Sequence, residues 1–371
     1  MKYYIIAGEA SGDLHGANLI KALLQNDAEC SIRFWGGDLM TQASKVAPTR
    51  HYRDLDFMGF VEVIKHLPAI LKNISFCKND ILQYKPDALI LIDYPGFNLR
   101  IASWAHEQGI KVFYYISPQI WAWKESRVHT IKKVVDKMFV ILPFEKDFYK
   151  KYNYDVEYVG HPLIDVIEKC TFDDIRKKYD LSPKPIIALL PGSRKQEVKN
   201  NINIFLQVYK EFPDYQFIIA AAPSLEIDYY TQIIGSEYAN IKVIKGETYN
   251  ILHAAHAAIV TSGTATLETA LFKVPQVVCY KGNYLSYLLA TMLIKVKYIS
   301  LPNLILNKPL LKELIQTEFN TTQLTTALHD ILKGEKRKEI LEGYDLLNDL
   351  LYEGDASNEV ALKIFQSISK N

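Results

Sequence analysis

The chain has 371 residues, and at ~150 residues per domain that implies two or three domains. Hydrophobic residues make up 49% and charged residues 23%, which excludes a disordered chain. Lys and Arg total 43 against 42 Asp and Glu, and the net charge of +1 excludes a strongly basic nucleic-acid binder, so no nucleic-acid partner is expected.

Met1 and Lys2 lead straight into an apolar run at 3–7 that is too short for a secretory signal. No uninterrupted apolar stretch reaches ~18 residues, so no membrane span is expected. Apolar or aromatic runs at 3–7, 32–35, 88–92, 112–116, 138–142 and 156–159 alternate with helical patterns. A second series follows at 186–190, 217–221, 242–244, 258–260 and 276–279. Runs that are apolar throughout, rather than alternating, belong to strands buried on both faces of a parallel sheet. The pattern predicts an α/β chain of two doubly wound, Rossmann-like domains facing each other across a cleft. Gly160-His161-Pro162 closes the first series, and a charged helix over 173–180 leads to the linker Ser182-Pro183-Lys184-Pro185. The expected domains are 1–165 and 180–350, with a last helix in 355–371 crossing back to the N-terminal domain. The four cysteines, at 30, 77, 170 and 279, have no CxxC or zinc spacing, which points to a reducing cytoplasm.

Four stretches could carry chemistry. The first, Ala7-Gly8-Glu9-Ala10-Ser11-Gly12-Asp13, lies where the first strand turns into a helix, and small residues there let backbone N–H groups approach a ligand. The same turn could be tight and bind nothing. Pro191-Gly192-Ser193-Arg194 repeats the arrangement in the second half, where a guanidinium fork suits a diphosphate, unless Arg194 is only solvated. In the run from Thr261 to Glu268, Ser262, Gly263 and Thr264 open a helix whose N–H groups and hydroxyls can cradle a phosphate. Glu268 could accept a ribose hydroxyl, or serve only as favourable charge near a helix start. Asp87 and Asp93 bracket the strand at 88–92; Asp93, at its carboxyl end, suits a general base, whereas Asp87 suits a structural role.

Trp121 and Trp123, beside Ser117 and Pro118, form either a sugar platform or core. Asp54-Leu55-Asp56 matches a DxD metal motif but has no strand ahead of it, and the histidines show no ligand spacing, with His253 and His256 expected on one helical face. No metal and no cofactor are expected. The segment 57–76 holds more apolar residues than one helix face needs, including Met58, Ile70 and Leu71. It is either a core helix or an apolar rim with basic neighbours that touches membrane or acyl chains.

Taken together, AGEASGD (7–13), MGFVEV (58–63), KPD (85–87), IDYPGFN (92–98), SPQIWAW (117–123), LPFE (142–145), GH (160–161), LLPGSR (189–194), SGTATLE (262–268) and SLPNL (300–304) resemble lipid-A-disaccharide synthases, in that family's order and over essentially the whole chain. The resemblance implies a GT-B fold and an inverting glycosyltransferase of lipid A assembly. UDP-2,3-diacylglucosamine would be the sugar donor, and the 6-hydroxyl of 2,3-diacylglucosamine 1-phosphate the acceptor. It also implies a cytoplasmic enzyme held peripherally at the inner membrane, with a homodimer as a further expectation. Nucleotide contacts are expected from Gly192, Ser193, Arg194, Ser262, Gly263, Thr264 and Glu268. Acceptor and lipid contacts are expected from Glu9, Ser11, Asn98, Trp121, Asn303, Met58, Ile70 and Leu71. The family commonly carries Asp where this chain has Gly96, so the base falls to Asp93, with Asp87, Asp13 and His15 as alternatives. A UDP-N-acetylglucosamine 2-epimerase and a non-catalytic nucleotide-sugar or lipid binder are the competing readings.

Overall fold

A computed structural model describes residues 1–55, 67–282 and 296–369. The chain divides into two units, Met1–Asp165 with Leu351–Asn371, and Val166–Leu350. In the first unit the strands are β1 (Lys2–Ala7), β2 (Ser31–Gly36), β3 (Arg50–His51), β4 (Ala88–Ile92), β5 (Lys111–Tyr115), β6 (Lys137–Val140) and β7 (Glu157–Tyr158). They form one sheet in the order β3-β2-β1-β4-β5-β6-β7, parallel throughout. The second unit repeats the plan with β8 (Ile186–Leu190), β9 (Gln216–Ala221), β10 (Lys242–Lys245), β11 (Ala255–Thr261), β12 (Gln276–Tyr280) and β13 (Glu313–Ile315). Their order is β10-β9-β8-β11-β12-β13, again parallel.

Both orders reverse direction beside the first strand of the unit, between β1 and β4 and between β8 and β11. Open α/β sheets bind ligands at the carboxyl ends of strands at such a switch point. The apolar runs behave as predicted: β4 and β8 are buried along their whole length. Helices on the faces complete the layers. The helix Ala10–Asn26 buries Leu19, Ile20 and Leu23, each contributing ~1.5–3 kcal/mol as a fully buried aliphatic side chain.

The last helix, Ala356–Ser369, packs against Ala10–Asn26 and so belongs to the first unit. The Ala356 N–H donates to the Asp165 carboxylate at 2.9 Å, the Asn26 amide donates to Asn358 at 3.0 Å, and Lys363 pairs with Glu157. Two local expectations are corrected. The charged helix is shorter than 173–180, spanning Ile175–Lys178 with Asp174 capping it. His253 ends the helix Thr248–Ala254 while His256 lies on β11, so the two do not share a helical face.

Candidate functional site

In the first unit, β1 ends at Ala7 and pairs in register with Ile92, the end of β4. Glu9 and Asp93 therefore leave adjacent strands at the switch point. Gly8 is required here by close approach, because a Cβ at that position would lie 2.4 Å from the Tyr94 ring. Asp93 and Tyr94 are both left-handed, with φ of 42° and 49°. Such conformations cost non-glycine residues ~1–3 kcal/mol each and persist only where neighbours hold them. The neighbours are Asn98, whose amide donates to the carbonyls of Ile92 (3.2 Å) and Asp93 (2.8 Å), and Tyr114, whose hydroxyl donates to the Asp93 carbonyl at 2.5 Å. Burial, reinforced by the Glu9 charge and opposed by the Tyr94 N–H, raises the Asp93 carboxyl to about 7. A carboxyl tuned to that range can both accept and release a proton near neutrality.

The alternative bases are placed otherwise. Asp87 sits at the amino end of β4, accepting the Lys2 N–H at 2.7 Å, on the opposite edge of the sheet from Asp93. Asp13 is buried, and its carboxylate accepts N–H groups from Gly37 (2.7 Å), Leu39 (3.1 Å) and Met40 (3.1 Å), which caps the helix Asp38–Ser44. With hydrogen bonds to a charged group worth ~1.5–3 kcal/mol each, that carboxylate is structural. His15 is buried, and burial lowers its pKa to about 4, a weak base at neutral pH.

The acceptor residues are also corrected in part. Asn98 is buried and spends its amide on the turn, so it supports Asp93 rather than facing a ligand. Trp121 packs against the core, edge-on to Phe144, and its indole N–H donates to Glu145 at 3.2 Å; it is not an open platform. Glu145, missed in the sequence, accepts the Ile141 and Leu142 N–H groups, yet burial outweighs those bonds and raises its pKa to about 7. Ser11 is exposed in the first turn after Glu9. Ile70 packs against the core, whereas Leu71 on the same helix, Leu67–Tyr84, is 57% exposed. Met58 and Asp56 lie outside the described residues, and Asp54 is exposed in a short 3-10 turn, Tyr52–Leu55.

In the second unit, the loops after β8 and β11 are tied together by Asn201, whose amide donates to the Pro191 carbonyl (3.2 Å) and the Thr261 hydroxyl (2.8 Å). The helix Lys195–Gln207 starts behind Arg194, but its start is already filled. The Glu197 carboxylate accepts the N–H groups of Ser193 (2.9 Å) and Arg194 (3.3 Å) and pairs with the Arg194 guanidinium at 2.8 Å. Gly192, at φ 122°, leaves room for that carboxylate, since a Cβ there would meet the Glu197 Cβ at 2.5 Å. Glu197 thus supplies the back half of a capping box, three residues after an N-cap Arg194 that has no acceptor of its own.

After β11 the situation differs. Ser262 donates its hydroxyl to the Ile299 carbonyl (2.8 Å), while Gly263 and Thr264 are exposed at the start of the helix Thr264–Leu271. The Glu268 carboxyl is pushed up by burial and accepts the Tyr249 hydroxyl at 2.8 Å. Nothing in the sequence pointed to Tyr249. Asn303 is corrected: it lies in the second unit, buried, with its side chain spent on the Leu311 backbone and on Glu313. It fastens the loop before β13 rather than meeting an acceptor. Among the described residues no group of three His, Cys, Asp or Glu is arranged to hold a metal ion.

A family model described as Lipid-A-disaccharide synthetase matches residues 3–363. The lipid-A-disaccharide synthase of Syntrophus aciditrophicus is 40% identical over 376 residues, covering 99% of this chain and 98% of that protein. That of Coxiella burnetii is 37% identical over 371 residues, covering 98% of each. Among solved structures, a complex of S. aureus MnaA with UDP aligns over 100% of this chain and 98% of its own, with a TM-score of 0.68 and 15% identity. The UDP-GlcNAc 2-epimerase of Neisseria meningitidis bound to UDP-GlcNAc aligns over 100% of both chains, with a TM-score of 0.66 and 13% identity. At those identities the likeness to these two structures is one of fold.

Proposed function

Because the chain belongs to the lipid-A-disaccharide synthase family, we propose that it transfers the sugar of UDP-2,3-diacylglucosamine to the 6-hydroxyl of 2,3-diacylglucosamine 1-phosphate. The products are the β-1,6-linked disaccharide 1-phosphate and UDP. The observation that carries the catalytic reading is Asp93, held in a strained turn beside Glu9 with its carboxyl raised to about 7. The acceptor oxygen attacks the anomeric carbon from the face opposite UDP and forms the new C–O bond. The old bond to the UDP phosphate oxygen breaks, its electron pair leaves with UDP, and the acceptor proton passes to Asp93.

The exposed helix start at Gly263 and Thr264, with Glu268 one turn further on, supports nucleotide binding by the second unit. The Arg194 guanidinium, paired with Glu197 at 2.8 Å beyond the carboxyl end of β8, supports diphosphate binding there. Two acylated substrates also draw the enzyme to the inner-membrane surface, because each acyl CH₂ moved into water costs ~0.8 kcal/mol. No described helix is long and apolar enough to cross a membrane, and the exposed Leu71 and Leu82 support peripheral contact instead.

The test is direct. Purified protein with both lipids in detergent should yield the disaccharide and UDP together, and UDP-N-acetylglucosamine alone should give no 2-epimer. Epimer formation without disaccharide would overturn the reading.

A further inference from the structure

We propose that Lys124 and Arg127, at the exposed ring of Trp123, together with Arg100 on the neighbouring helix, bind the phosphomonoester of the acceptor, one sugar ring away from the hydroxyl that reacts at Asp93. This inference rests on the acceptor assigned above and adds the site that selects its phosphate.

Trp123 is 48% exposed and carries two cations: Lys124 Nζ lies 5.5 Å and the Arg127 guanidinium 5.2 Å from its ring centroid. Arg127 opens the helix Arg127–Val134, which packs against the helix Pro95–Glu107 that carries Arg100. Arg100 donates to the Gly96 carbonyl at 2.6 Å, on the first turn after Asp93. Tyr114, whose hydroxyl holds the Asp93 carbonyl, lies near Arg127 as well.

Among the described residues, none of these three cations has a carboxylate partner. Other cations of this unit are paired, as Lys111 is with Asp136 and Lys137 with Glu157. Arg127 is further disfavoured where it stands. It is half-buried, Arg100 repels it, and together these push its pKa down. It also occupies the positive end of a helix dipole whose first turn has no acidic residue. Glu125, between Lys124 and Arg127, accepts the Tyr152 hydroxyl at 3.0 Å and pairs with none of the three, so three cations gathered on adjacent helices in a chain of net charge +1 mark a place for an anion. A phosphomonoester offers three oxygens to two guanidinium forks and an ammonium. Gly96 and Asp93 lie beside the cluster but are not part of it, which suits a sugar whose 6-hydroxyl and 1-phosphate stand on opposite sides of one ring.

An anionic bilayer headgroup offers the same chemistry, so the test separates the two sources. Turnover is measured in neutral detergent micelles with the 1-phosphate acceptor and with an analogue carrying a methoxy group at that carbon. Arg127→Gln and Arg100→Gln should each raise the KM for the phosphate acceptor by about tenfold or more, the loss of one hydrogen bond to a charged group. The KM for the donor and kcat/KM for the methoxy analogue should stay as in the wild type. Lys124→Gln and Arg100→Gln change exposed side chains and decide the matter where Arg127→Gln does not fold. Equal penalties on both acceptors overturn the proposal. So does an unchanged KM in neutral micelles combined with weaker binding to vesicles of anionic phospholipid, which assigns the cluster to the membrane. A wild-type protein that makes disaccharide from neither acceptor refutes the parent reading, and this one with it.

Discussion

The Tyr114 hydroxyl donates to the main-chain carbonyl of Asp93 at 2.5 Å, so a side chain of β5 clamps the turn that follows β4. The turn holds two consecutive left-handed residues and needs such a clamp. Tyr114→Phe removes a hydrogen bond of ~0.5–1.5 kcal/mol and should lower kcat roughly three- to tenfold, with the KM for both substrates little changed. The Asn98 amide still holds the same carbonyl, so the fold should survive. An unchanged kcat would mean that the clamp does not matter for the chemistry.

Asp93 itself should be needed outright. Asp93→Asn is expected to lose ~10²–10⁴-fold in rate with UDP affinity intact, whereas Asp87→Asn should keep most of the activity. A base with a pKa of about 7 makes the wild-type rate rise with pH through that value. Stability should run the other way. The unfolded carboxyl ionises near 3.8 while the folded one holds its proton to about 7. Below the lower value the group contributes nothing; its cost grows across the interval and is complete above the upper one. Denaturation at pH 8 should therefore find Asp93→Asn more stable than the wild type, with no such gain at pH 3.

Donor binding is tested in the second unit. Arg194→Ala should weaken UDP binding or slow turnover by about tenfold, the loss of a charge-assisted contact. Tyr249→Phe acts through Glu268. Without the Tyr249 hydroxyl, which favours the ionised form, the Glu268 pKa climbs further. The KM for the donor should then rise, and its pH dependence should shift upward while kcat holds. Calorimetry with UDP that found both variants unaffected would remove these residues from the site.

Membrane contact depends on the exposed side of the helix Leu67–Tyr84. Leu71→Ser together with Leu82→Ser should reduce binding to lipid vesicles without affecting UDP binding. Ile70→Ser should instead destabilise the protein, because Ile70 packs on the core. Vesicle binding unaffected by the double variant would move the contact elsewhere.

Excess EDTA should leave turnover unchanged, since the leaving diphosphate is met by Arg194 and by the helix start at Thr264. Loss of activity with rescue by Mg²⁺ would bring Asp54 and Asp56 back into consideration.

Much of the architecture follows from the sequence alone, because the runs at 88–92 and 186–190 are apolar at every position and too short for a buried helix, which leaves a strand covered on both faces. The strand-end positions of Asp93, Arg194 and Ser262 follow from the same runs, since a parallel sheet puts all its carboxyl ends on one edge. β3 and β13 were harder to read, being two and three residues long and defined by pairing rather than pattern. What only the tertiary structure decided is how the polar groups are spent. Asp13 and Asn303 looked available in sequence, yet one is used by the N–H groups of 37–40 and the other by Leu311 and Glu313. Asp93 acquires its raised pKa from burial and from Glu9, a residue of another strand's loop. Arg100 and Arg127 become neighbours because two helices pack on the same face of the sheet. Local periodicity reports which face of an element is buried. The fate of a hydrogen-bonding group or a charge depends on partners brought close by the fold, and no local pattern records them.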